Sequence, residues 1–523
     1  MTDRPGQHER PWWRDAVIYQ IYPRSFADSD GDGVGDLRGI TDRLDHIASL
    51  GVDAIWLSPI FASPMADFGY DVSDYCSVDP VFGSEADLDE LIAGVHERGM
   101  RLLLDWVPNH TSDQHPWFEA SRRSRTDPKR DWYVWRDPAP DGGPPTGWTA
   151  AIRRVPAWTF DEQTGQYYLH LFLPEQPDLN WANPEVEAAM HDTLRYWLDR
   201  GVDGFRADVV HLIGKGTDLP DLDERQARHP LIEIDPPYAH ELLRRIRALL
   251  EGYDHQPMMV GEVYLLGDGQ TVTYLGNDDE LHLTFDFRAL HSPWEAAAIR
   301  SVIERSQREF AAPHWPTWVL SNHDKPRTRS LCGSTDRARA AAVMSLTMRA
   351  TPFLYAGDEL GLADADIAPE NWIDPAGRDG CRAPIPWTPE DGHGWGPDPW
   401  LPFPPDADVL AASEQVDDPA SMLALYRRLL QMRRASPALR AGDLELLDIG
   451  GADVVAYRRS HADEVLEVAV NFGDAPVELP LNGDLVVSSV HDRSPGAFDG
   501  IIGAHEAIVV RPGGESAPHE SHR

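Results

Sequence analysis

From residue 17 to residue 356 the chain repeats one pattern, a short β-branched or aliphatic run followed by an amphipathic stretch of helical period. The runs fall at 17–22, 54–57, 101–106, 204–207, 258–262, 281–285, 318–321 and 351–356. Between them, 36–50 places Leu37, Ile40, Leu44, Ile47 and Leu50 three or four residues apart, and 85–98 reads the same way. Alternation of this kind is the signature of the α/β class, and eight runs predict a closed (β/α)8 TIM barrel. Such a barrel gathers its chemistry at the carboxyl ends of the strands.

Two stretches depart from a plain barrel. Residues 111–180, rich in Trp, Pro and Gly, are too long for an ordinary loop and predict an inserted subdomain after strand 3, ending at a helix near Glu185. Residues 364–405, dense in Pro, Gly, Asp and Trp, predict a long loop at the barrel mouth. Short strands then follow at 444–449, 454–458, 465–471, 485–490 and 507–510, the pattern of an antiparallel β domain. The expected organisation is a barrel over 1–110 and 181–441, an insertion over 111–180, a C-terminal β domain over 442–513 and a polar tail over 514–523.

Composition narrows the partners. The 523 residues exceed what one core organises. With 47 Lys+Arg against 86 Asp+Glu, the net charge of −39 repels nucleic acid and anionic membrane, and leaves a neutral substrate unopposed. No window of about 18 apolar residues suits a membrane span. The polar first ten residues lack the apolar run of a secretory leader. Cys76, Cys332 and Cys381 are scattered and odd in number, which fits a cytoplasmic protein. Monomeric and homo-oligomeric forms are equally compatible with the sequence.

Four of the strand ends carry polar clusters: 105–110, 206–211, Glu262 and 322–327. They bring together Asp105, Asp208, Glu262 and Asp324, with Arg206, His110 and His323 beside them. Metal binding, phosphate handling and glycosidic cleavage are the open chemistries. The His residues do not form a metal cluster, and there is no phosphate loop or basic cluster. Glycoside chemistry needs a carboxylate nucleophile and a carboxylic acid whose pKa values are held apart. Arg206, two residues before Asp208, faces the same side of its strand and is expected to keep that acid ionised. Glu262 leaves an apolar strand with no adjacent cation in sequence, so its pKa is expected to be raised.

The segments DWVPNH (105–110), GFRADVVH (204–211), GEVY (261–264) and SNHDKPR (321–327) resemble, in order, the four signature regions of glycoside hydrolase family 13, the α-amylase family. GVDAIWLSPI, DFGYDVSDY, QPDLNW and GDELG extend the likeness, and QPDLNW resembles the oligo-1,6-glucosidase and α-glucosidase branch. The resemblance implies Asp208 as nucleophile, Glu262 as general acid and base, and Asp324 as transition-state stabiliser, with the two reacting acids ~5 to 5.5 Å apart. It implies a grip on the terminal glucose from Asp67, Tyr70, His110, Arg206, His323 and Arg327, with Tyr70 as stacking platform. Trp148 and Trp158 are expected to serve packing.

Val209, directly after the nucleophile, resembles relatives that prefer α-1,6 links. His211 stands where the oligo-1,6-glucosidase pattern has Asn, and RDGCRAPIPW at 378–387 follows that branch only in part. The resemblance thus implies a retaining exo-α-glucosidase acting on small neutral α-glucosides. Transfer to another acceptor, or isomerisation, is the alternative; a non-catalytic transporter-associated subunit is a remote one. Asp28, Asp30, Asp32 and Asp36 alternate around glycines, and with the Val34 carbonyl they form an oxygen-rich loop that suits Ca²⁺. Gly39 at the twelfth position excludes an EF-hand, and the resemblance implies a structural Ca²⁺ away from the nucleophile.

Overall fold

The computed structural model describes residues 10–513 except 216–218, 220–221, 225 and 266. The first nine residues and the expected tail at 514–523 lie outside the described residues. Eight parallel strands form one sheet: β1 (Ile18–Ile21), β2 (Ala54–Leu57), β3 (Arg101–Trp106), β4 (Gly204–Ala207), β5 (Met258–Gly261), β6 (Leu283–Thr284), β7 (Thr317–Val319) and β8 (Thr351–Tyr355). They run in the order β6-β5-β4-β3-β2-β1-β8-β7, as the eight runs predicted. At the β6–β7 seam Thr317 Oγ1 donates to Thr284 O at 3.0 Å and accepts from Asp286 N at 2.9 Å. One hydroxyl thus bridges the two terminal strands. Ile18, Trp56, Leu103, Val260, Phe285, Val319 and Phe353 pack together inside the barrel. β4 lies so close to β5 that a Cβ on Gly204 would stand 2.2 Å from Met258 O, which only glycine tolerates.

Helices α1 (Leu37–Asp42), α2 (Leu44–Leu50), α3 (Glu85–Glu97), α4 (Pro184–Asp199), α5 (Pro237–Leu250), α6 (Ala296–Glu309), α7 (Thr335–Thr347) and α8 (Met422–Ala435) clothe the sheet. The helix expected over 36–50 is two: Arg43 leaves helical geometry at φ −105°, ψ 7° and places its guanidinium 4.4 Å from the Trp387 ring. In α3 a Ser84–Asp87 capping box starts the helix, and Leu88, Leu91, Ile92 and Val95 face the core. No helix of the described residues is long and apolar enough to cross a membrane.

The insertion between β3 and β4 holds a three-stranded antiparallel sheet, Trp135–Arg136, Trp158–Asp161 and Gln166–Leu169. Trp148 and Trp158 are buried in its core. After α8, the antiparallel strands β9 (Asp443–Leu447), β10 (Val454–His461), β11 (Glu464–Asn471), β12 (Gly483–Ser488) and β13 (Ala507–Pro512) form the second large sheet. Arg459 joins it to the barrel: its buried guanidinium donates to Leu439 O, Gly442 O and Asp443 O at 3.0, 2.9 and 3.2 Å, and also to Thr347 O.

Candidate active site

β3, β4 and β5 lie side by side, and their register sets Arg206 opposite Asp105 on one flank and Val260 on the other. Asp208 follows Arg206 by one pleat, and Glu262 follows the end of β5. One buried guanidinium therefore meets three acids. Arg206 Nη1 donates to Asp105 Oδ1 at 2.9 Å and to Asp208 Oδ1 at 2.6 Å, and Nη2 donates to Glu262 Oε2 at 2.5 Å. Here the premise that no cation stands beside Glu262 is corrected. Its cation comes from the neighbouring strand, so Arg206 does not distinguish the two reacting acids. The expectation that Arg206 keeps Asp208 ionised is corrected as well. Burial lifts Asp208 well above the carboxylate range, against Arg206 and with Glu262 and Asp105 adding to the rise. Burial also lifts Asp105 to about 7, with Arg206 and the Tyr70 hydroxyl opposing.

On the far side of the pocket the stoichiometry is reversed. Asp324 Oδ1 accepts from Arg378 Nη1 at 2.9 Å and from Arg382 Nη2 at 3.2 Å. Burial alone would raise this acid, but His323, Arg378, Arg382 and Arg206 hold it well below the usual range. Arg378 also bonds Asp374 at 2.7 Å and reaches Asp67, so it straps the pocket from Asp324 to Asp67. Burial raises Asp67 from its ordinary value, with Arg378 and Arg382 opposing.

Between the two clusters sits an aromatic relay. Gln20 Nε2 donates to His323 Nδ1 at 2.7 Å, and Nε2 of the same ring is 2.6 Å from Tyr70 OH. The Tyr70 hydroxyl donates to Asp105 Oδ2 at 3.0 Å. Burial drives His323 to about 3, so the ring is neutral, with its proton on Nε2. Tyr70 lies parallel to that ring at 5.5 Å. His110, also driven to about 3 by burial, accepts from Asn109 Nδ2 at 3.0 Å and turns Nε2 to Tyr70 O at 3.0 Å.

These groups surround a pocket of about 120 Å³. Asp67, Tyr70, His110, Asp208, Val209, Glu262 and Asp324 line it, all named from the sequence. Val209 has φ +33°, a strained value for a β-branched residue, and is buried against the pocket. Arg206 and His323 stand one layer behind the wall. Arg327 does not reach it. Its guanidinium donates to Ala356 O at 2.6 Å and Ala383 O at 3.3 Å and lies over the Tyr355 ring, so it braces the 378–387 loop from below. The arginine that does enter the pocket is Arg378, from the quoted segment RDGCRAPIPW. The sequence reading also gave no role to Gln176, which sits in QPDLNW and donates to Asp67 Oδ2 at 3.2 Å. Ile152 and Phe172 of the insertion, together with Leu231 and Tyr264, complete the lining. Ile152, Phe172 and Leu231 belong to no motif, whereas Tyr264 closes the quoted GEVY segment and was given no role there. His211 is wholly buried and bonds Leu231 O through Nε2 at 2.9 Å, so it acts on the mouth through Leu231.

The 28–36 loop lies apart from this lining. Oxygens of Asp28, Asp30 and Asp36 come within 4.8 Å of one another, spacing that fits oxygen ligands around one Ca²⁺. Asp32 stays outside the trio, its Oδ1 accepting from Val34 N at 2.8 Å. Burial raises Asp28, but the amides of Gly33, Gly396, Gly31 and Asp30 outweigh it and hold the acid below its ordinary value. The loop is latched to the mouth loop, with Trp400 N donating to Gly33 O at 2.9 Å.

The family model described as the alpha amylase catalytic domain matches residues 20–442, and the one described as a domain of unknown function, DUF3459, matches 442–510. A probable alpha-glucosidase of Rhizobium meliloti (strain 1021) is 42% identical, over 90% of this chain and 92% of its own. An oligo-1,6-glucosidase of Parageobacillus thermoglucosidasius is 36% identical, over 89% and 91%. The crystal structure of an alpha-glucosyl transfer enzyme, XgtA, superposes with a TM-score of 0.89 at 40% identity, covering 96% of this chain and 100% of that one. The chain belongs to glycoside hydrolase family 13, the alpha-amylase family, and is an enzyme of its α-glucosidase type, a glucosidase or transglucosylase.

Proposed function

We propose that the protein is a retaining, exo-acting α-glucosidase that removes glucose from the non-reducing end of short neutral α-glucosides, with a lean towards α-1,6 links. The observation that carries this reading is the small pocket in which Asp208 and Glu262 share one guanidinium while Arg378 is tied across the entrance between Asp67 and Asp324. A chain end fits such a space better than a polymer passing through. Val209 in the wall supports the α-1,6 lean.

In this reading Asp208 attacks the anomeric carbon, and Glu262 gives its proton to the departing oxygen. The glucosyl–Asp208 ester is then opened by water, whose proton returns to Glu262, and two inversions retain configuration. Burial of Asp208 and Asp105 around one cation favours a proton held within the group. Asp324, held anionic by its arginines, steadies the positive charge that develops on the sugar. Asp67, His110 and Gln176 hold the hydroxyls, Tyr70, its own hydroxyl engaged by Asp105 and His323, offers its ring as the stacking platform, and Arg206 and His323 act from behind. Asp208→Asn is expected to abolish turnover while leaving the fold intact; turnover near the wild-type rate would overturn the assignment.

Transfer to an acceptor other than water is the second reading. It is favoured by the unusual 378–387 loop, by the Leu231 segment hung on His211, and by the likeness to an alpha-glucosyl transfer enzyme. Products formed from maltose, isomaltose, sucrose, trehalose and longer dextrins at high sugar concentration separate the two. We further read Asp28, Asp30 and Asp36 as ligands of a structural Ca²⁺, and the free cysteines as the mark of a cytoplasmic enzyme.

A further inference from the structure

We propose that a second pocket, at the opposite, amino end of the barrel, binds a small phosphate-bearing anion. This cavity, of about 240 Å³, opens where the chain enters β1, β2 and β3 and where α8 ends. Arg101, Arg433, Arg434 and Arg440 line it, against Asp15 and Asp53. In a chain of net charge −39 such a local excess of guanidinium groups is unusual.

The two acids are already engaged. Asp53 Oδ2 accepts from Val17 N at 2.8 Å and Oδ1 from Arg434 Nη2 at 3.2 Å. Asp15 Oδ1 accepts from Arg10 Nε at 3.0 Å, which leaves Oδ2 3.8 Å from Arg440. The arginines retain donors. Arg433 is 1% exposed. Its Nη atoms serve Leu346 O, Met348 O and Ala350 O, but its buried Nε has no partner among the described residues, and neither does Nε of Arg440. Those Nε atoms are closed off from solvent, so the donors that meet an anion in the cavity are Nη1 of Arg434 and the Nη groups of Arg440, the latter held only loosely at 3.8 Å from Asp15.

Arg101 is fixed over the Trp12 ring at 4.6 Å and pairs with Asp203 at 3.2 Å, so it meets a ligand with little loss of freedom. Arg434 and Arg440 are more exposed and form the entrance. Trp12, Ala16, Val17 and Leu430 supply an apolar wall beside the charges, which leaves room for an organic group attached to the phosphate. A surface this acidic keeps polyanions away as a whole, while a small anion responds to the local field of the cavity. None of these residues lines the catalytic pocket. Occupancy is therefore expected to stabilise the folded chain and leave turnover unchanged.

Titration calorimetry on the full chain, with inorganic phosphate and a hexose phosphate in parallel at constant ionic strength, tests the site. Saturable binding of one equivalent is expected. It should weaken by at least about tenfold in Arg434→Gln/Arg440→Gln and be unaffected by Arg195→Gln, which lies on α4 outside the cavity. A tighter hexose phosphate identifies a phosphorylated small molecule as occupant, and equal affinities identify free phosphate. The proposal fails if neither anion saturates, if chloride at the same ionic strength competes equally well, or if the double variant binds like the wild type while its melting and turnover show that it is folded.

Discussion

The two walls of the catalytic pocket are built from the same residue types in opposite ratios. On the β3–β5 side three carboxylates share Arg206; on the β7–β8 side Arg378 and Arg382 share Asp324. Both sides are buried, so desolvation pushes Asp208, Asp105 and Asp324 upward, and the number of cations decides the outcome. Asp208 and Asp105 stay raised, whereas Asp324 is forced down. The lesson is that this site separates proton-holding acids from a permanent anion by counting guanidinium groups, not by placing a cation beside one acid alone. For the proposed double displacement, the first wall supplies the nucleophile and the proton, and the second supplies fixed negative charge.

Removing cations tests that contrast most severely. Arg206→Met leaves three buried acids without their shared cation. It is expected to lower stability by about 3–5 kcal/mol in denaturant titrations and kcat/KM by at least about 10³-fold. Arg378→Met leaves Asp324 paired with Arg382 and is expected to lower stability by about 1–2 kcal/mol. Its main kinetic effect should be on KM, since Arg378 spans the sugar-facing acids. Equal damage from the two variants would break the comparison.

pH sharpens it. Asp105 and Asp208 bind a proton more tightly in the folded chain than in the unfolded one. Their contribution to stability is complete below about pH 4 and is lost as pH rises, for Asp105 through about 7. Asp324 has the opposite sign: its contribution is present above the ordinary carboxylate value and is lost only as pH falls through its depressed folded value. Asp105→Asn should flatten the decline of wild-type stability between about pH 4 and 7, a slope of at most about 1.4 kcal/mol per pH unit for one proton. With one fewer anion on Arg206, the acid limb of kcat/KM, where Asp208 loses its charge, should shift to lower pH. In Arg378→Met that limb should stay where the wild type has it. An unmoved limb in Asp105→Asn would show that the three acids do not titrate together.

Much of this was readable from residues alone, because strand periodicity and strand-end polarity are local. The eight runs predicted the barrel, and seven named residues line the pocket. What the sequence hid was lateral. Neighbouring strands β4 and β5 are separated by some fifty residues, so nothing in the order of residues shows that Arg206 serves Glu262 as closely as Asp208. Likewise Arg327 and Arg378 both look like mouth arginines, and only packing under Ala356 and Ala383 turns the first into a brace. The apolar lining from Ile152 and Phe172 comes from irregular segments, and that from Leu231 from a single helical turn, Pro230–Glu233, too short for a period to be read. Asp32 fits the alternation of its loop, yet its carboxylate caps Val34 N and stays out of the trio.

The 28–36 loop extends the comparison to acids that have no arginine partner among the described residues. Asp28, Asp30 and Asp36 converge with only amide and hydroxyl donors around them. A bound divalent cation would there take the part that Arg378 and Arg382 take for Asp324. Its loss would loosen a loop latched to Gly396 and Trp400 without touching the residues that line the pocket. Chelation should therefore lower the melting temperature by on the order of a few degrees and leave kcat at moderate temperature within about twofold of its starting value. Added Ca²⁺ should restore the melting temperature, and Asp30→Ala should remove both the effect of the chelator and that of the metal. Asp32→Ala, outside the trio, should keep both responses. An immediate loss of turnover on chelation would instead tie the metal to the catalytic wall.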